Sequence, residues 1–433
     1  MSNQTGVSLT TAAALVMGNM VGTGVFTSLG FQLNSLSSPS AILILWALGG
    51  LLAFCGAACY AELASALPRS GGEYHFLSRI YGSEMGIITG WASLIAGFAA
   101  PIALAALAFG NYLTGLFGFE ARFLALTLLG ILTSTQLWTI RSAGRTQSLL
   151  TYTKIAIIVA FFIAALFHRN PAQAHLTLGP EEAENIFSSS FALSLVYVMY
   201  AYAGWNAATY ILSEIRDPER NVPRALFLGT GVVTFLYVIL NGIFLFTTPT
   251  DQMKGEIEIG LIVGRELFGA DGGNIMAGLI SFGLLSSISA MLWVGSRIGQ
   301  RMGEDHPSLG FLALTNRNGV PVVAVLFQSL LAAFLILTAS FEAILIYVES
   351  VLLLTSGLAV FGLFILRHRH PDRPWKHKTF AYPFTPALFL LLTGWMIVAV
   401  AWKRPLECLL GWLTFFSGCL LVKFATFRSR KTR

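Results

Sequence analysis

Charge is what this chain has least of. Asp, Glu, Lys and Arg make up 11% of its 433 residues, against about 25% in soluble domains. Hydrophobic residues reach 55% and mean hydropathy is +0.71, which excludes an ordinary soluble fold. Cysteine is equally sparse. Cys55, Cys59, Cys408 and Cys419 all fall inside apolar runs, so neither a disulfide framework nor a metal cage is expected. His368, His370 and His377 sit in a basic connector without metal-ligand spacing. The sequence also lacks a P-loop and a nucleophile motif. ATP-driven transport and membrane enzymology therefore lack their required residues, and no cofactor is expected. No low-complexity linker or appended soluble domain interrupts the chain; its longest hydrophilic stretches are 169–185, 249–273 and 367–383.

Long apolar runs are abundant. Bilayer hydrocarbon is roughly 30 Å thick and needs about 20 apolar residues per helix, and the chain supplies about twelve such runs. They cover 7–31, 39–67, 82–117, 123–138, 149–167, 186–215, 223–246, 274–294, 320–338, 341–366, 386–402 and 406–424. The expected class is an all-α integral membrane protein. The first run lacks a basic flank and is too long for a cleaved signal peptide, so it is expected to stay as a helix.

Lys and Arg concentrate on cytoplasmic loops. With both termini inside, 21 basic residues fall on that side and 6 (Arg122, Arg169, Lys254, Arg265, Lys403, Arg404) on the other, summing to the 27 present. The sorting favours an even helix count with cytoplasmic termini, and the expected location is the cell inner (plasma) membrane. The pI near 9.2 is then a topology signal, with membrane lipid as the surrounding partner and no nucleic acid implied.

Two runs carry helix-breaking residues at depth. The first contains Gly18-Asn19-Met20-Val21-Gly22-Thr23-Gly24 and the sixth Tyr200-Ala201-Tyr202-Ala203-Gly204-Trp205-Asn206. Gly22 lies about 15 residues from one surface and Gly204 about 18 from the other, deep in the bilayer at 1.5 Å per residue. Broken backbone there is tolerated only where protein, water or ligand satisfies it. Half-helix N-termini attract anions and half-helix C-termini attract cations, and an α-amino acid zwitterion carries both. Gly18 and Gly22 also form GxxxG, commonly a packing surface, so a packing reading stands beside the binding one.

At these residues the sequence resembles the amino acid/polyamine/organocation superfamily, in its L-type amino acid transporter branch. Gly22-Thr23-Gly24-Val25-Phe26 is similar to the family's first break and Tyr202-Ala203-Gly204-Trp205-Asn206 to its second. Cys59-Tyr60-Ala61-Glu62-Leu63 with Ser70-Gly71-Gly72-Glu73-Tyr74 resembles the signature around the second helix. Glu214 with Asp217-Pro218 and Arg220-Asn221-Val222-Pro223-Arg224-Ala225, and Leu366-Arg367-His368-Arg369-His370-Pro371 with Arg373-Pro374, resemble the segments after helices six and ten.

The resemblance implies a LeuT-type fold: a 5+5 inverted repeat (7–167 and 186–366) with two additional helices (384–427). It places a substrate carboxylate on the amides around Val21, Gly22, Thr23 and Gly24. An amine falls on carbonyls of Tyr200, Ala201 and Ala203 plus Met20, with Gly204 in the second break and Tyr200 as aromatic gate. Ala203 stands where the branch often has glycine, which points to small or medium neutral substrates. Asn206 replaces the glutamate of arginine antiporters, which argues against that exchange. No cysteine sits between helices three and four, so no glycoprotein heavy chain is implied.

Ionisable groups in hydrocarbon are functional hypotheses. Lys154 either snorkels to the surface or, as the resemblance implies, braces the first helix in place of sodium. Glu349 either lines an external vestibule or carries a coupling proton, the vestibule being favoured. Glu62 is expected near an interface in a structural role. Tyr237, Ser286, Ser287 and Ser289 approach the site or bond their own backbone. The expected function is a sodium-independent exchanger of neutral L-amino acids working by alternating access. The alternatives are a proton-coupled symporter and a non-transporting amino acid receptor.

Overall fold

A computed structural model describes residues 6–36, 38–138, 143–167, 186, 188–371 and 376–431. Arg141, Arg169, Arg373, Pro374, Arg433 and the stretch 169–185 lie outside the described residues. Everything described is helix or connector apart from two isolated bridges, as the apolar runs predict.

Helix α1 (Leu9–Met20) and α2 (Gly24–Gln32) are the two halves of the first run, separated by residues 21–23. α3 (Pro39–Ala66) returns across the molecule, and the short α4 (Gly72–Tyr81) follows on the face where the chain begins, here termed the terminal face. The next crossing joins α5 (Ser83–Ala92), a π-helical stretch (Ser93–Ala99) and α6 (Ala100–Phe117). Then come α7 (Ala121–Trp138) and α8 (Ala143–Phe167). The sixth run divides into α9 (Ser189–Tyr202) and a 3-10 segment (Ala207–Glu214). α10 (Pro218–Thr247), α11 (Ile259–Asp305), α12 (Val322–Thr338), α13 (Phe341–Arg369), α14 (Phe384–Lys403) and α15 (Pro405–Lys431) complete the chain.

Local chemistry sets these boundaries. Ser8, Ser38, Ser188 and Ser340 each accept a hydrogen bond from the backbone N–H three residues on, the N-cap arrangement that contributes about 1 kcal/mol per helix. Gly82, at φ +110°, separates α4 from α5, and Gly269, at φ +75°, bends α11.

Eight helical stretches among the described residues are long and apolar enough to cross a membrane, and Thr151–Phe167 and Val322–Thr338 are shorter apolar helices. The expected count of about twelve is thus met by length and hydropathy at eight. One shortfall has a clear cause: the second interruption stops α9 at Tyr202. Large apolar side chains face outward on α7, α12 and α15, among them Ile131, Leu330, Phe334 and Leu420. A belt of this kind suits lipid and would be a liability in water; the protein is a multi-pass membrane protein. All four cysteines are free, three of them buried.

α1 packs on α8 and α10, α2 on α9, and α3 on α9 and α10, so both interrupted helices lie inside the bundle. Glu62 shows how two sequence motifs serve one purpose. Fully buried on α3, it accepts from Nε and Nη2 of Arg367 at 2.8 Å each and from the Thr379 amide at 2.7 Å. Arg367 in turn lies 3.7 Å from the Tyr382 ring centroid. The structural role expected for Glu62 is what the geometry shows. Removing one partner of a buried ion pair leaves the other charge uncompensated, which typically costs about 3–5 kcal/mol. Glu62→Ala is therefore expected to lower stability by about 3 kcal/mol, read as thermal unfolding of the detergent-solubilised protein; an unchanged transition would contradict a role for this clamp.

Candidate functional site

Residues 21–23 leave the helix because Val21 turns to ψ 85° at the C-terminal cap of α1, and α2 restarts at Gly24. In the sixth run Ala203 adopts φ −53°, ψ 142° and Gly204 takes φ +101°, a value that favours glycine. The two breaks touch. A Cβ on Gly24 would lie 2.4 Å from the Ala201 Cα, and one on Gly204 would lie 2.9 Å from the Asn19 Cβ and 3.0 Å from its carbonyl carbon. Close approach of main chain to main chain thus requires glycine at both positions. Gly22 behaves differently: a Cβ there would meet nothing nearer than 3.9 Å, so packing does not account for it. The two runs also pair where they start and finish on the terminal face, through Val7 N–H to Glu214 O (2.8 Å) and Arg216 N–H to Val7 O (3.0 Å).

A cavity lies at this seam. Met20, Gly22, Thr23, Gly24, Tyr200, Ala203, Gly204 and Glu349 line it. Val21 and Ala201 do not: both are packed into the core, because the break directs their side chains away from the opening. Lys154 and Tyr237 also stay outside the lining and act on the helices instead. The Lys154 ammonium donates to Gly18 O (3.1 Å) and Ser287 Oγ (2.6 Å), and Thr151 on the same helix donates to Ala14 O (3.2 Å). Lys154 is 3% exposed, so it does not snorkel; it props α1 just before the interruption. Of the three serines considered, Ser287 is the one that takes part in this brace.

Tyr237 bonds directly to the expected amine site. Its hydroxyl lies 2.6 Å from Met20 O and 3.2 Å from Ala201 O, while Tyr200 O accepts from the Ala203 N–H at 3.1 Å. Three of the carbonyls expected to face an ammonium are therefore already engaged within the protein. The amides opening α2 have no i−4 carbonyl within that helix. The Thr23 and Tyr200 hydroxyls share a 2.7 Å hydrogen bond across the seam, tying the proposed gate to the first break.

Sequence reasoning missed several lining groups. Glu73 lines the cavity from α4, its Oε1 accepting from Tyr60 OH (2.6 Å) and Asn206 Nδ2 (3.2 Å). Burial pushes the Glu73 carboxyl above its ordinary range, against the pull of these hydrogen bonds. Its signal was present in the Ser70–Tyr74 motif, but only the fold shows that motif meeting Asn206. Trp205 stacks edge-on against Tyr60 with ring centroids 4.6 Å apart. Gly97 and Phe98 reach the cavity from the π-helical stretch, a geometry frequent at functional sites.

The two ends of the cavity differ. Tyr210, Ile211 and Val294 also line a cleft bounded by Ser70, Glu214 and Arg301 on the terminal face. At the opposite face Phe31 packs against both Tyr197 and Phe341 with centroids 5.8 Å apart. There Glu342 accepts from Tyr197 OH at 2.6 Å and pairs with Arg404. No cluster of three or more metal-ligating side chains occurs among the described residues.

A profile of the family described as amino acid permease matches residues 7–420. The large neutral amino acids transporter small subunit 2 of Oryctolagus cuniculus is 27% identical over 426 residues, covering 95% of this chain and 78% of its own. Asc-type amino acid transporter 1 of Mus musculus is 27% identical over 433 residues, covering 95% and 79%. The b(0,+)-type amino acid transporter 1 of the same species is 26% identical over 417 residues, covering 93% and 84%.

Two perturbations test the seam without reference to flux. Gly204→Ala adds a methyl against Asn19 at a strained φ and is expected to cost about 2 kcal/mol or more, read by thermal unfolding. Lys154→Met removes the prop on Gly18 and is expected to speed hydrogen exchange at the last turn of α1 at least several-fold; unchanged exchange there would deny the brace.

Proposed function

The chain belongs to the amino acid permease family, and from that premise we propose that it exchanges neutral L-amino acids across the cell membrane by alternating access, independently of sodium and without covalent chemistry. Two interrupted helices meeting over a cavity carry this reading. The amides of Gly22, Thr23 and Gly24 hold the substrate carboxylate at the N-terminus of α2. Met20 O, already drawn toward Tyr237, and the carbonyls of the second break receive the ammonium. Tyr200 covers the bound zwitterion, and Lys154 fixes α1 with a charge of its own. The two five-helix segments 7–167 and 186–366 act as inverted repeats around this site, with 384–427 appended.

With both termini in the cytoplasm, the cleft on the terminal face is the inner exit, and the Phe31, Tyr197 and Phe341 cluster is the closed outer gate. Names of relatives bear on assembly. The rabbit relative is by name a small subunit, which runs against the expectation that no heavy chain is implied. We narrow that expectation to a covalent one: residues 118–122, between the third and fourth crossings, contain no cysteine, so a disulfide to a partner has no anchor there.

A proton-coupled symporter is the second reading. Glu73 favours it, since one of its buried carboxylate oxygens has no hydrogen-bond partner and burial keeps a proton on the group toward higher pH.

Radiolabelled leucine or alanine uptake into proteoliposomes separates the two. Exchange predicts stimulation by the same amino acid inside and indifference to sodium; absence of that stimulation removes the exchanger. Symport predicts accumulation driven by an inward pH gradient, abolished by an uncoupler and lost in Glu73→Gln. Lys154→Ala is expected to slow turnover at least ten-fold with a smaller change in KM.

A further inference from the structure

The cavity at the seam has acidic walls and no basic one. Glu73 and Glu349 both line it, and none of its lining residues is Lys, Arg or His. The buried cation of the core, Lys154, directs its ammonium to Gly18 O and Ser287 and does not reach the cavity. The two carboxylates are not equivalent. Glu73 is tied into the cavity wall by Tyr60 and Asn206. Glu349, on α13, is 3% exposed, faces the cavity in company with Tyr200, Val348 and Leu352, and leaves its Oε2 without a hydrogen-bond partner.

An unpaired carboxylate in such a place is costly to bury. A zwitterionic substrate does not relieve it, because its two charges are met by the backbone of the interrupted helices. Something with one more positive charge does. Val348, Leu352 and Leu353 on the same helix and the Tyr200 ring line the cavity with it, which suits the methylene stem of a long side chain ending in a charge.

We propose that Glu349 is a cation-reading subsite, pairing with the ammonium or guanidinium at the end of a substrate side chain, so that the carrier takes cationic L-amino acids as well as neutral ones. This deepens, and rests on, the amino acid exchange reading above. The discriminating pair is lysine and norleucine, which share a backbone and four-carbon stem and differ in the terminal ammonium. A buried carboxylate binds the charged partner more tightly than the uncharged one, which leaves it unpaired.

The experiment measures inhibition of radiolabelled leucine exchange in proteoliposomes by unlabelled lysine, ornithine and norleucine, for the wild type and Glu349→Gln. Lysine and ornithine are expected to compete in the wild type. Glu349→Gln is expected to raise their half-inhibiting concentration relative to that of norleucine by about ten-fold or more, a ratio in which any general loss of turnover cancels. Should that variant fail to insert, thermal stabilisation of purified wild-type protein by lysine against norleucine gives the same comparison. Norleucine competing while lysine does not, or an unaltered ratio in the variant, overturns the subsite and leaves exchange standing. Leucine uptake that requires an inward pH gradient, with the requirement lost in Glu349→Gln and lysine inert, makes Glu349 a proton carrier instead and also overturns it. Absence of any exchange removes the parent reading, and this one with it.

Discussion

Backbone held against backbone at mid-depth is the constraint from which the rest of this molecule follows. Gly24 lies on Ala201 and Gly204 on Asn19 with no space for a single added carbon. Each interruption breaks the intrahelical ladder in surroundings that offer no bulk water, so every freed amide and carbonyl has to find a partner or face a cavity. The surrounding helices are placed to supply partners: Lys154 from α8 donates to Gly18 O and Tyr237 from α10 to Met20 O, while Ser287 from α11 accepts from Lys154 and holds it in place. The cavity is where that supply stops.

Closure of the two faces rests on different physics. On the face opposite the termini, aromatic packing among Phe31, Tyr197 and Phe341 is reinforced by Glu342 and Arg404, whose side chains are 25% and 37% exposed. A partly solvated pair of this sort contributes of order 1 kcal/mol or less, and stacked rings about 1 kcal/mol beyond their area. Such a seal is stable enough to persist and weak enough to reopen. The Glu62, Arg367 and Thr379 clamp, by contrast, is sealed from water on the carboxylate side and belongs to the permanent framework.

Much of this was legible in the sequence, for reasons of scale. Hydrophobic runs long enough to span lipid announce themselves by composition, and glycine clusters at matching depth announce interruptions. Thr23, Gly24, Tyr200 and Gly204 line the cavity as expected because backbone breaks are local events. The misses are tertiary. The side chains of Val21 and Ala201 turn toward the core, a direction that depends on dihedrals composition does not encode. Glu73 lay in plain view within a motif, yet its meeting with Asn206 spans 133 positions of chain. Lys154 allowed two readings from its depth alone, and only its contact with Gly18 separates them.

The phenol of Tyr237 faces two carbonyls and has one hydrogen to give. The shorter contact, to Met20 O, takes it, and Ala201 O at 3.2 Å is left with the weaker share. One phenol thereby joins the last carbonyl of the first half-helix to the end of the second, so that a shift of either interrupted run is felt by the other through a single hydroxyl.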